Sequence, residues 1–274
     1  MLPTGSDSPG FDAHRRASES KARSPAAKGR KSALAVVGTE FGCGKTVLLT
    51  GLVAMLKSYG FSARAVKPIV TGKRDQVEAE LSFISSITQT NVSASPVVLD
   101  PSVGLSSADW NKVVAAGQYF LDLTLVELPG SSATPLSFDY NAKNTKVVNW
   151  KDSADLALSF SCGALLVARH DLSALEKLAV HSGYLINKGL KVLGLATVET
   201  VEEGGNQLEK LLGRDAFELL LLARTSVPYL GCIKFSPSVS VPRVSQGNLI
   251  KLTATGLELL EMLKALNLPL PTSP

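Results

Sequence analysis

Cysteine is scarce in this chain, and its cysteines are not spaced like metal ligands. The 274 residues include three cysteines, Cys43, Cys162 and Cys232, with no Cys-x-x-Cys motif and no Cys/His pair at zinc-binding spacing. Small secreted domains usually carry many disulfide-forming cysteines, and structural zinc sites usually carry closely spaced ligand pairs. We therefore expect reduced thiols, no zinc site and a cytoplasmic protein.

Long apolar runs are also missing. The longest nearly uncharged apolar stretch, residues 156–168, is too short to cross a bilayer, and no secretory signal pattern is visible. These absences predict a soluble protein that does not associate with membranes.

Large apolar residues are nearly absent from residues 1–31. This segment has seven basic and three acidic residues, and that surplus of four equals the formal net charge of the whole chain, +4. Such a segment buries too little surface to offset the entropy lost on ordering. We predict a disordered basic tail at residues 1–31 and one folded domain at residues 32–270. A transit peptide is the alternative for the tail, and we expect no nucleic-acid partner.

The rest of the chain alternates short apolar runs with longer helical patterns. Continuously apolar runs are typical of strands that helices cover on both faces. The sequence predicts strands at residues 33–37, 63–66, 123–126, 164–167 and 192–195, and helices at residues 47–57, 77–87, 111–120, 172–187 and 206–223. This pattern predicts a doubly wound α/β domain with a mostly parallel sheet, a three-layer fold like that of P-loop NTPases. Ligands of such folds bind at the carboxyl ends of the strands.

A glycine-rich segment follows the first predicted strand. Residues 38–46 read Gly-Thr-Glu-Phe-Gly-Cys-Gly-Lys-Thr and lead into a predicted helix. Backbone N–H groups of such a turn hold phosphate oxygens, while its lysine reaches the terminal phosphates and its threonine ligates Mg²⁺. Five residues separate Gly38 from Gly44, one more than in the common phosphate loop. We predict a nucleoside triphosphate site formed by Gly38, Thr39, Glu40, Phe41, Gly42, Cys43, Gly44, Lys45, Thr46 and Val47.

Two further strands end in residues that suit this site. Lys67 follows the second predicted strand and Glu127 ends the third, so both are expected at the edge where the loop lies. An acid beside a phosphate loop commonly holds Mg²⁺ directly or through water. The alternatives are a surface lysine for Lys67 and a solvated acid for Glu127.

Taken together, these segments resemble dethiobiotin synthetases, the ATP-dependent carboxylases of biotin biosynthesis. The loop resembles that family's five-spaced variant, residues 67–72 (Lys-Pro-Ile-Val-Thr-Gly) resemble its Lys-Pro-x-x-Ser/Thr-Gly segment, and Val126-Glu127 resemble its Val-Glu-Gly segment. The resemblance implies a homodimer that uses ATP and Mg²⁺. It also implies a reaction in which 7,8-diaminononanoate takes up CO₂ and closes a ureido ring through a carbamic-phosphoric anhydride.

The resemblance also implies roles for individual residues. Lys45 would act on the γ-phosphate, and Lys67 and Thr71 would hold the carbamate, which makes these three the catalytic candidates. Thr46, Glu127 and an acid on the next helix would bind Mg²⁺. Glu80 aligns best with that acid, and Glu78 and Asp75 are the alternatives.

Three segments depart from the family pattern. The family's Glu-Gly-Ala-Gly-Gly loop is Glu-Leu-Pro-Gly-Ser at residues 127–131, where bulk replaces glycine. Its Ser-Pro-His stretch has no counterpart at residues 104–110, and the asparagine that reads the adenine base is missing from residues 196–200. These departures keep a second function open, a nucleotide-binding regulatory or interaction module without carboxylation. The retained Lys67 and Thr71 favour the enzyme.

Overall fold

Six parallel strands form the centre of the structure, a computed structural model that describes residues 32–90, 96–117, 123–141, 143, 145–160, 163–201, 208, 210–237 and 245–265. The strands lie in the order β10-β9-β8-β1-β5-β2. Their bounds are β1 Ser32–Gly38, β2 Ala63–Val66, β5 Leu123–Ser131, β8 Gly163–Arg169, β9 Val192–Val198 and β10 Tyr229–Ile233. The five predicted strands are all present. The sixth, β10, was missed because Gly231 interrupts a short apolar run.

Eight helices have both bounds within the described residues, and residues 208 and 210–212 are also helical. Their bounds are α1 Lys45–Ser58, α2 Arg74–Thr88, α3 Ser107–Gly117, α4 Ser153–Ser159, α5 Ala174–Asn187, α6 Arg214–Thr225, α7 Gln246–Gly256 and α8 Leu259–Ala265. The prediction of one continuous helix over residues 206–223 is wrong, because Gly213 (φ 69°) precedes the start of α6. Helix α5 begins later than predicted, because Asp171 accepts hydrogen bonds from the backbone N–H and hydroxyl of Ser173.

The central strand shows how helices cover both faces of the sheet. Leu34 and Val36 of β1 pack into one apolar core with α1, α2, α7 and α8. Ala35 and Val37 point the other way, into a second core with α3, α4, α5 and α6. This alternation explains the continuously apolar strand sequence. The doubly wound three-layer fold predicted from the sequence is confirmed.

Two small strand pairs lie outside the main sheet. Strands β3 (Ile69–Val70) and β4 (Val97–Val98) pair in parallel, and β6 (Pro135–Tyr140) and β7 (Val147–Asp152) form an antiparallel hairpin. The sequence reading missed all four strands.

Some sequence predictions fall on residues outside the described ranges. The tail at residues 1–31 and Cys162 are among them, so the tail and the domain bounds stay predictions. Within the described residues, every helix is too short or too polar to cross a bilayer.

Candidate functional site

The glycine-rich loop connects β1 to α1, as predicted. Gly44 precedes α1 with a left-handed backbone (φ 95°), a conformation that favours glycine. Gly38 is needed for close approach, because a Cβ there would lie 2.8 Å from the Gly130 carbonyl oxygen and 2.8 Å from Lys45 Nζ. A Cβ at Gly44 would lie 2.5 Å from Val198 Cβ, so both glycines are required by the close packing of the loop against neighbouring segments.

Lys45 lies folded over this loop and is buried. Its ammonium donates to the Gly130 carbonyl at 2.9 Å and to the Glu40 carbonyl at 3.3 Å. The neighbouring Cys43 is also buried and donates to the Val167 carbonyl at 3.4 Å, which agrees with a packing role for this cysteine. The loop therefore holds one buried cation whose partners are two neutral carbonyl groups and, at 4.0 Å, Cys43 Sγ.

Four side chains from four elements meet at the start of α1. Thr46 Oγ1 donates to Glu80 Oε1 at 2.6 Å and lies 3.0 Å from Glu127 Oε1. Lys67 Nζ lies 2.7 Å from the same oxygen of Glu80 and 2.8 Å from that of Glu127. The structure thus brings together the predicted metal residues Thr46, Glu80 and Glu127 with the predicted catalytic Lys67.

The register of the parallel sheet explains why the Lys67 and Glu127 side chains lie close together. Val36 in β1 lies opposite Glu127 in β5, and Val66, which precedes Lys67, lies opposite Val126. Strand β5 runs on to Ser131 rather than ending at Glu127 as predicted, but this register still sets both side chains beside the loop, near the end of β1. The second-acid alternatives do not reach this point, because Glu78 forms an exposed ion pair with Arg74 (Nε–Oε1 2.7 Å) and Asp75 is exposed.

The cluster is electrostatically coupled. Burial disfavours the charged form of Lys67, but the carboxylates of Glu127 and Glu80 outweigh it and raise the pKa of this lysine. Burial likewise works against ionised Glu80, but the charge of Lys67 and hydrogen bonds from Lys67 and Thr46 keep the pKa of this carboxyl below its ordinary value. The Lys67 ammonium and the Glu80 carboxylate thus favour each other's charged forms.

A cavity of about 460 Å³ opens beside this cluster. One side is lined by predicted residues of the loop, by Lys67 and by Thr71. Another part of the lining comes from the ends of β9 and β10: Val198, Glu199, Thr200, Ile233, Lys234, Phe235 and Ser236. The resemblance had connected residues 196–200 with the adenine base, whereas the residues after β10 were not predicted. The polar residues that follow the apolar run of β9 mark the end of that strand, but no local pattern places β10 beside it.

Residues 128–131, which differ from the corresponding part of the family's Glu-Gly-Ala-Gly-Gly loop, change the cavity wall less than their sequence suggests. Leu128 is fully buried and packs in the core beside Val126, away from the cavity. Only Pro129 and Gly130 of the altered segment line the cavity wall. Of the two bulky residues in this segment, Pro129 therefore lines the cavity and Leu128 does not.

Comparisons with known proteins agree with this architecture. A family model described as an AAA domain matches residues 32–243. The ATP-dependent dethiobiotin synthetase of Haloferax mediterranei is 29% identical over 173 residues, which span 59% of this chain and 69% of that enzyme. The dethiobiotin synthetase of Bacillus licheniformis is 25% identical over 179 residues, 58% of this chain and 70% of the enzyme.

Solved structures give weaker likenesses. Chloroplast FtsY from Physcomitrella patens has a TM-score of 0.47 and 16% identity, covering 83% of this chain and 66% of that one. A chain of the MinC:MinD cell division complex of Aquifex aeolicus has a TM-score of 0.48 and 12% identity. The match covers 89% of this chain and 99% of that one.

Proposed function

The chain belongs to the AAA domain family and is a divergent member of the dethiobiotin synthetase family, and on that premise we propose that it is an ATP-dependent cyclo-ligase. In this proposal, it carboxylates 7,8-diaminononanoate with CO₂ and closes the ureido ring of dethiobiotin. It would act as a cytoplasmic homodimer on small-molecule substrates.

The cluster of Lys67 with Thr46, Glu80 and Glu127 carries the proposal. A loop that only bound nucleotide would need Thr46 and one acid. Here the chain also buries a lysine between two carboxylates, at 2.7 and 2.8 Å. Such a lysine is costly to bury, so its position beside the loop supports a role with an anionic reactant.

The residues present suit ATP with Mg²⁺. Gly38 and Gly44 let the loop pack closely against Gly130 and Val198, and Glu127 Oε2 is buried without a hydrogen-bond partner among the described residues. We infer that Thr46, Glu80 and Glu127 would hold Mg²⁺, which would supply positive charge beside the phosphates. Because the Lys67 ammonium contacts the same oxygens, the ion and Lys67 would compete for them.

Lys45 would bind the γ-phosphate in exchange for its carbonyl partners, Gly130 and Glu40. Charge-assisted hydrogen bonds to phosphate are stronger than bonds to neutral carbonyls, which favours this exchange. Lys45 would then stabilise the charge that develops during phosphoryl transfer.

Lys67 and Thr71 would hold the carbamate. One amine nitrogen of the substrate bonds to the carbon of CO₂ and loses a proton, and a carbamate oxygen then takes the γ-phosphoryl group as ADP leaves. The second amine attacks the same carbon, loses a proton and expels phosphate. A lysine and a hydroxyl facing the carbamate would orient its oxygen for the first transfer.

The altered segment after Glu127 supports a second candidate, a nucleotide-binding module without carboxylation. Pro129 lines the cavity at the position where the family's Glu-Gly-Ala-Gly-Gly loop has alanine. A module of this kind would bind ATP and form no dethiobiotin.

The test compares Lys67→Met with Lys73→Met, a nearby exposed lysine. Each protein is incubated with Mg-ATP, bicarbonate and 7,8-diaminononanoate, dethiobiotin is measured by mass spectrometry, and ATP binding is titrated separately. We expect Lys67→Met to retain ATP binding and lose dethiobiotin formation, whereas Lys73→Met retains both. Full synthesis by Lys67→Met would show that its proposed role is wrong, and ATP binding by the unmodified protein without product would favour the module.

A further inference from the structure

A histidine, a glutamate and a cysteine lie together at the carboxyl ends of β8, β9 and β10. His170 follows β8, Glu199 follows β9 and Cys232 lies in β10, three strands that are neighbours. One ligand atom from each residue lies within 4.8 Å of the others. The three are distant in sequence, so the absence of close Cys/His spacing says nothing about this group.

Backbone hydrogen bonds fix the positions of these residues. The N–H of His170 donates to the Val198 carbonyl at 2.9 Å, and the N–H of Glu199 donates to the Ile233 carbonyl at 2.9 Å. The ring of His170 is oriented by a 2.9 Å contact between Nδ1 and Thr197 Oγ1, and Thr197 Oγ1 in turn lies 2.6 Å from Tyr229 Oη. A polar partner on one ring nitrogen is the usual support for a histidine that binds metal through the other.

The environment suits a bound ion. His170 is buried, and the Glu199 side chain is 10% exposed. His170 and Cys232 line a cavity of about 100 Å³ together with Tyr229, Arg214 and Lys234, whereas Glu199 lines the large cavity. Imidazole, thiolate and carboxylate are the three ligand types that proteins use for zinc.

We propose that His170, Glu199 and Cys232 form a Zn²⁺ site with Nε2, a carboxylate oxygen and Sγ as ligands. Ligands about 2.0–2.3 Å from a tetrahedral ion lie about 3.5 Å from one another. Small side-chain rotations therefore suffice to close the group around the ion. Binding releases the thiol proton of Cys232 to solvent, and a fourth position stays open for water.

Lys234 competes with the ion for Glu199. Its ammonium lies 3.0 Å from Glu199 Oε1, while Glu199 Oε2 accepts from the Phe235 N–H at 2.8 Å. Zinc must draw Oε1 away from Lys234 or share it. Because Glu199 and Lys234 also line the large cavity, an occupied site would change that cavity's wall.

The test is a titration of the untagged full chain with Co²⁺, a coloured substitute for Zn²⁺, followed by competition with Zn²⁺. We expect one thiolate-bound Co²⁺ per chain, seen as sulfur-to-metal charge-transfer absorption, and full displacement by Zn²⁺. Cys232→Ser should remove this absorption and His170→Gln should weaken binding at least about tenfold. Cys43→Ser and His181→Gln are the matched controls and should bind as the unmodified protein does.

Two further variants separate this site from others. Glu80→Gln disables the candidate magnesium residues and should leave the thiolate signal intact. Lys234→Met removes the competing ammonium and should tighten Co²⁺ binding. Absence of the thiolate signal, or its persistence in folded Cys232→Ser, would overturn the proposal. Unchanged or weaker binding by Lys234→Met would overturn the assignment of Glu199 as a ligand.

Discussion

The position of Lys67 could be predicted from the sequence, whereas the acid that it contacts on helix α2 was harder to choose. Its place after a short apolar run, in register with the phosphate loop, predicts that it faces the ligand crevice, and the structure brings it there. The resemblance favoured Glu80 but left Glu78 and Asp75 open, because all three lie within two turns of one helix. In the structure, Glu80 is the one of the three that contacts Lys67 and Thr46.

Lys45 gives the most direct test at the residue scale. Lys45→Met removes the ammonium that would bind the terminal phosphates, and the loss of charge-assisted hydrogen bonds should weaken ATP binding about 10–100-fold. Titration with a fluorescent ATP analogue measures this Kd. Lys57→Met, at the far end of α1, is the control and should bind normally. A Kd for Lys45→Met within twofold of the unmodified value would refute the role of Lys45.

At the element scale, helix α5 carries a glycine that nothing in its surroundings requires. Gly183 lies within α5, and a Cβ there would meet nothing within 4 Å. Gly183→Ala should stabilise the protein by about 0.5–1 kcal/mol, because alanine loses less conformational freedom in a helix. Urea denaturation measures the change.

Gly189 is the matched control for this prediction. It also has open space around it, but its backbone is left-handed (φ 88°). Gly189→Ala should therefore destabilise by about 1–2 kcal/mol. If both alanine variants shifted stability in the same direction, backbone conformation would not be the cause.

Helix α4 begins with a capping box that links it to α5. Asp152 Oδ1 accepts from the Asp155 N–H at 2.9 Å, Asp155 Oδ2 accepts from the Asp152 N–H at 3.0 Å, and Lys188 Nζ lies 2.9 Å from Asp155. Burial works against ionised Asp155, but hydrogen bonds from Lys188 and the Asp152 N–H lower the pKa of its carboxyl. The lowered pKa means that ionised Asp155 is stabilised in the folded protein.

This stabilisation has a defined pH dependence. Because the folded pKa is depressed, it is fully present above the ordinary Asp value of 3.8 and is lost as the pH falls through the folded pKa. Asp155→Asn should lower the unfolding free energy by about 0.5–1 kcal/mol at pH 7. The deficit should shrink below about pH 4. A deficit that stayed constant from pH 7 to pH 3 would exclude the charge of Asp155 as its source.

At the scale of the whole molecule, the sequence predicted the sheet and its two helical layers better than it predicted the residues that line the cavity. Strands β1, β5, β8 and β9 are continuously apolar because helices cover both faces, and that pattern is local enough to read directly. The wall formed by Glu199, Lys234 and Phe235 depends on β10 pairing beside β9. No local pattern encodes which strands become neighbours, so this half of the cavity could not be assembled from the sequence.

The incorporation of labelled carbon tests the central claim most directly. The unmodified protein is supplied with Mg-ATP, 7,8-diaminononanoate and ¹³C-bicarbonate, and the products are followed by mass spectrometry together with ADP. We predict dethiobiotin with one ¹³C in the ureido carbonyl, formed in equal amount to ADP. ATP bound or hydrolysed without labelled dethiobiotin would contradict the assignment of this chain as a dethiobiotin-forming enzyme.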